Sequence, residues 1–203
     1  MANADFRYGL RPVEHLNGNP WNGATRRCRI TSNAGDLGVG DAVYMNGSGS
    51  GGYPEVVASS IGAGSTNAYT IFGVVTAFEP VETNLERIYI ASADSGWAAV
   101  CVDPDVLYSI QANGVVGSND IGQTFELVAD HTIDTVTGLS GTEMAASTGA
   151  ADATQPLLCL GGVVKEDNDL TLTHAEWIVM INKHQLRAVD ADTAESFVGV
   201  IGI

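Results

Sequence analysis

Tyr69-Thr70-Ile71-Phe72-Gly73-Val74-Val75-Thr76-Ala77-Phe78 is the stretch on which the fold turns. Eight of its ten residues are β-branched or aromatic, types that pack well on a pleated surface and lose rotamer freedom in a helix. The stretch therefore predicts a long strand, with Gly73 marking a bulge or a close backbone approach.

The same reading extends in both directions. Upstream, Val39–Met45 enters a strand through a turn, the Gly/Ser run at 47–52 makes a hairpin tip, and Tyr53–Ala58 follows as an edge-like strand with Pro54 near its start. Downstream, Arg87–Ile90 and Trp97–Val102 read as short strands. Leu107–Ala112 alternates between apolar and polar, and Ile121–Val128 follows a turn. The apolar runs Pro156–Val164 and Trp177–Asn182 supply two more strands, and residues 196–203 a last strand or docked tail. Apart from a possible helical turn at 190–195, no segment has a sustained 3.6-residue period. Many short strands with frequent turns predict an all-β fold, with a β-barrel, β-tulip or jelly-roll-like body.

The expected organisation is an extended N-terminal arm over residues 1–36 and a barrel body over 37–203. Residues 130–156, rich in Thr, Ser, Ala, Gly and Asp, form a loop or small subdomain insertion. The first 29 residues carry turn signals (Gly9, Pro12, Asn17-Gly18-Asn19-Pro20, Asn22-Gly23) among apolar anchors (Phe6, Tyr8, Leu10, Val13, Leu16, Trp21). Charge divides the same way. Residues 1–29 hold Arg7, Arg11, Arg26, Arg27 and Arg29 against Asp5 and Glu14, a balance of +3, while the remainder carries −18 of the net −15. Arginine suits planar, bidentate contact with carboxylates. The arm is thus expected either to fold back on its own acidic body or to grip an acidic partner. The excess of negative charge argues against nucleic acid as a partner. No apolar run is long enough for a membrane span, and the opening residues lack the apolar core of a secretory leader. The expectation is a soluble chain made in a cytoplasm.

Each catalytic or ligand-binding pattern has a blander explanation. The glycine run at 47–52 leads into a strand rather than the helix a dinucleotide loop requires. Leu139-Ser140-Gly141 lacks the strand–elbow–helix setting of a nucleophilic serine, and His15, His131, His174 and His184 are scattered. His174-Ala175-Glu176 resembles half of a zinc-deaminase signature without its cysteine half. Cys28, Cys101 and Cys159 are odd in number and widely spaced, as expected of reduced, buried thiols. The acidic turns at 103–105, 166–169 and 190–192 have no EF-hand spacing, although a weak cation at Asp167 and Asp169 stays open. A non-enzymatic chain with no cofactor and no resident metal is expected.

The opening Phe6-Arg7-Tyr8-Gly9-Leu10-Arg11-Pro12-Val13, with Leu16-Asn17-Gly18 and Pro20-Trp21-Asn22-Gly23, resembles the start of capsid decoration (cement) proteins of tailed phages. The Val39–Val43, Gly73–Val75, Leu107–Ala112 and Trp177–Gln185 stretches fit the same pattern. The resemblance implies a β-barrel or β-tulip, a homotrimer on the capsid exterior, and a structural role in bracing the head. The partners it implies are the major capsid protein and neighbouring copies of the chain. Phe6, Arg7, Tyr8, Leu10, Arg11, Trp21, Arg26, Arg27 and Arg29 would be the capsid-contact residues of the arm. Two other readings stand beside it: a β-sandwich adhesin or ligand-binding surface module, and a hydrolase whose site the sequence does not reveal.

Overall fold

The computed structural model of the chain describes residues 3–31, 36–58, 70–82, 84–128, 133–151 and 155–187. Among the described residues ten strands run in chain order: β1 (Arg11–His15), β2 (Arg26–Ile30), β3 (Ala42–Ser50), β4 (Tyr53–Ala58), β5 (Gly73–Phe78), β6 (Gly96–Cys101), β7 (Val106–Gln111), β8 (Thr124–Phe125), β9 (Leu157–Gly162) and β10 (Glu176–Ile181). The helical content of the described residues is two single-turn 3-10 segments, Ser118–Asp120 and Ala146–Thr148. The fold is all-β.

Five strands close into a barrel in the order β2-β4-β3-β5-β6 and back to β2. Four of its pairings are antiparallel, and β2 runs parallel to β4. The other five form an antiparallel sheet, β1-β7-β10-β9-β8.

Alternation along the strands builds two cores. Val43, Val75 and Val100 point into the barrel with Cys28, Ile30, Val56 and Phe72. Their neighbours Ala42, Val74 and Cys101 point the other way and pack with Tyr108, Ile110, Phe125 and Trp177 of the second sheet. Successive side chains of a strand lie on opposite faces, so β3, β5 and β6 are apolar on both sides because both are covered. At the join, the Tyr108 hydroxyl donates to Cys101 Sγ at 3.4 Å.

Several expectations need correction. Two stretches of the expected arm are ladder strands. β1 pairs with β7, and β2 closes the barrel between β4 and β6. The cause is the pattern Arg-Arg-Cys-Arg-Ile, in which Cys28 and Ile30 are fully buried while Arg27 and Arg29 face outward, and Arg26, on the inward parity, stays exposed at the strand's start. Strand β4 is not an edge, since it is paired on both sides; Pro54 sits beside the Gly51-Gly52 turn, past a register shift in β3. Strand β7 alternates in sequence, yet all six of its residues are buried. Its polar face is covered by the N-terminal segment and loop 168–175, and Gln111 Nε2 donates to the carbonyls of Ala4 (2.8 Å) and His174 (3.1 Å). Arg87–Ile90 contributes one bridge, Ile90 to Leu37, rather than a strand. The described part of 130–156 is tied down. Met144 is in the main core, and buried Asp41 accepts hydrogen bonds from Ser140 Oγ (2.5 Å), Thr142 Oγ1 (3.2 Å) and the Gly38 N–H (2.7 Å). The readings of Tyr69, of His131 and of residues 190–203 fall outside the described residues.

The chain crosses itself closely at Gly9 and Gly40. Both have positive φ, and Leu10 N–H donates to Gly40 O at 2.9 Å. A side chain at Gly9 would put its Cβ 2.5 Å from that carbonyl oxygen, so the crossing requires glycine.

Candidate functional site

The nine residues expected to form one arm lie in three places. Tyr8 and Leu10 are 4% and 1% exposed and belong to the chain's own interior, as does half-buried Trp21, which packs on the main core where residues 16–21 fold back over β1. Tyr8 and Leu10 are therefore corrected from contact anchors to structural residues, while Trp21 keeps part of its surface exposed. Arg11 stays exposed, its guanidinium 4.3 Å from the centre of the Tyr8 ring. Burial pushes the Tyr8 hydroxyl well above the ordinary tyrosine range, so it stays un-ionised.

The second place is the outer wall of the barrel, where β2, β4 and β6 lie side by side. Arg27 and Arg29 alternate outward from β2, and β6 presents Trp97 opposite Arg29. Arg27 lies over the Trp97 ring at 3.9 Å and beside the Tyr53 ring at 5.2 Å, and Arg29 reaches Trp97 from 5.6 Å. Tyr53 meets Trp97 edge to face, with ring centres 5.1 Å apart. Arg27 also forms a two-pronged pair with Glu79, Nε to Oε1 at 2.5 Å and Nη2 to Oε2 at 2.7 Å. That pair raises the Arg27 pKa and holds the Glu79 carboxyl below its usual range. The result is a pair of outward arginines, Arg27 and Arg29, braced by two aromatic rings. Planar guanidinium groups held in place in this way lose little freedom when they meet a carboxylate.

The third place is a charge cluster where the N-terminal segment crosses the body. Arg7 Nε is 3.4 Å from Asp5 Oδ1 and 3.3 Å from Glu143 Oε2. His174 Nδ1 is 3.7 Å from both Asp5 Oδ1 and Glu143 Oε1. Asp5 is about half exposed, whereas Glu143 is 3% exposed. Burial raises the Glu143 pKa, and Arg7 opposes that rise. His174 has φ +60°, a left-handed backbone, with its carbonyl held by Gln111. Phe6, 56% exposed, lies with Asp5 and Arg7 at a shallow depression of about 320 Å³ that also touches Asp134 and Ser140. Nothing local in the sequence links Glu143 or His174 to Asp5, which is why His174 reads there as one of four scattered histidines and Glu143 carries no signal.

The acidic turn at 166–169 is arranged differently. Asp169 Oδ1 accepts from Thr171 N–H and Oγ1, Lys165 reaches Asp167 at 3.7 Å and Glu176 at 2.6 Å, and Asn168 is buried on backbone groups. Ser140, the serine of Leu139-Ser140-Gly141, donates its hydroxyl to buried Asp41. Searches against protein-family models, curated proteins and solved structures found no match to this chain.

Proposed function

We propose that this chain is a structural protein of a tailed-phage head, a decoration protein that binds the capsid exterior and braces it through contacts between subunits. The observation that carries the reading is the arginine–aromatic stripe, an exposed basic surface on a chain of net charge −15. Trp, Tyr and Arg are the residue types that dominate binding energy at protein interfaces, and a rigid strand presents them without an ordering cost. The rest of the chain is acidic and would be repelled by an acidic coat, so the stripe selects the orientation in which it docks. The proposed partners are acidic side chains of the major capsid protein and neighbouring copies of this chain, in a homotrimer whose three stripes act together. The resemblance of residues 6–23 to the opening of cement proteins agrees with this reading.

Because β1 and β2 are part of the fold, removing residues 2–29 would not isolate the contact. Point changes do. Heads of the encoding phage, prepared without the protein, would be mixed with wild type and with the Arg27→Glu/Arg29→Glu double variant and sedimented. Wild type is expected to co-sediment, and the double variant to bind at least tenfold more weakly while keeping its circular dichroism spectrum. Equal binding by the two would reject the stripe as the contact. Failure of wild type to bind, together with glycan binding at the Tyr53–Trp97 face, would favour the surface-module reading instead.

A further inference from the structure

We infer that Asp5, Glu143 and His174 form a binding site for one divalent metal ion of the zinc class, and that the ion clips the N-terminal segment to the body. The inference is independent of the capsid reading.

The three side chains come from distant parts of the chain, and their ligand atoms all lie within 4.8 Å of one another. Among the described residues they are the one such group of three or more. Two of those atoms are buried polar atoms without a hydrogen-bond partner, Glu143 Oε1 and His174 Nδ1. They face each other at 3.7 Å, too far for a hydrogen bond. Two ligands about 2.1 Å from a tetrahedral ion stand about 3.4 Å apart. The gap therefore fits a pair of ligands better than a donor and an acceptor. A buried carboxylate oxygen without a partner has lost its hydration with nothing in return, a cost that an ion would relieve.

The donor set narrows the ion. Calcium and magnesium prefer shells of oxygen alone, and copper(I) prefers sulfur. Two carboxylates and an imidazole nitrogen suit zinc, with a fourth position left for water. The two carboxylates balance the charge of the ion. Arg7 stays on the far oxygen of Glu143, Oε2, and Asp5 gives up only a long 3.4 Å contact with Arg7.

Surrounding contacts hold the ligands ready. Gln111 Nε2 fixes the carbonyls of Ala4 and His174, the residues beside Asp5 and at the imidazole. Asn3 donates to the carbonyls of Asp169 and Thr173 and accepts from the Asp169 N–H, so the segment already follows loop 168–175. The proposal departs at this one place from the absence of a resident metal expected from sequence.

The test uses untagged full-length protein, stripped with a chelator, dialysed and titrated with zinc chloride by calorimetry. One zinc per chain is expected, with affinity reduced at least tenfold in Glu143→Gln, His174→Asn and Asp5→Asn. Glu143→Gln should keep the fold, since burial already disfavours its charge, and asparagine tolerates the left-handed backbone at 174. Asp5 is half exposed, so Asp5→Asn reads the site even if a buried variant unfolds. Zinc should also slow tryptic cleavage after Arg7 in wild type and not in Asp5→Asn. No saturable site at one ion per chain, or unchanged affinity in the folded variants, would overturn the inference.

Discussion

His184 shows how one buried residue ties acid stability to the join between sheet and barrel. It is 1% exposed, lies three residues past the end of β10, and forms a bridge with Ile71 in the stretch that leads into β5. Its Nδ1 accepts the Leu186 N–H at 3.1 Å. Burial, helped by the nearby charge of Arg187, lowers its pKa from the ordinary 6.5 to about 4. As pH falls below about 6.5 the unfolded chain takes up a proton at this histidine, and the folded chain does so only near 4. The stability this residue allows is thus complete above about 6.5 and is lost as pH falls toward 4. By pH 4.5 the loss amounts to about 2–3 kcal/mol. His184→Asn keeps an acceptor for Leu186 and removes the titration. Urea unfolding at pH 7 and 4.5 should show that much less acid destabilisation in the variant than in wild type.

At the scale of elements, β2 carries both closure of the barrel and the exposed stripe. Its inward residues, Cys28 and Ile30, are fully buried, and its outward arginines stack on Trp97 and Tyr53. Arg27 covers the Trp97 ring, so Arg27→Ala should increase acrylamide quenching of tryptophan fluorescence without changing the far-ultraviolet spectrum. Trp177 is 1% exposed and contributes little to that signal. Most strands were legible because their apolar residues are contiguous or alternate, as in β5, β6, β9 and β10. Strand β2 was not, because two apolar residues among three arginines look like a basic tail until the barrel supplies their inward face. The burial of Ser109 and Gln111 in β7 was hidden for the converse reason. Their alternation was visible, but the segment that covers them comes from the other end of the chain.

At the scale of the whole molecule, a closed barrel and a five-stranded sheet share one wall, and the N-terminal residues stitch the two together. The all-β class was legible in strand periodicity and turn spacing. The site was legible in part: the arginines of the stripe stood out as the basic end of an acidic chain, but their aromatic braces come from β4 and β6. The Asp5–Glu143–His174 cluster was illegible, since only folding brings the three stretches together. The central claim is that the stripe is the surface through which this chain meets a capsid. Cryo-electron microscopy of phage heads decorated with the purified protein tests it most directly. The account expects density for the barrel on the outer shell with Arg27, Arg29, Tyr53 and Trp97 facing coat protein carboxylates. Bound protein with that strand turned to solvent, or heads that remain bare at saturating protein, would contradict it.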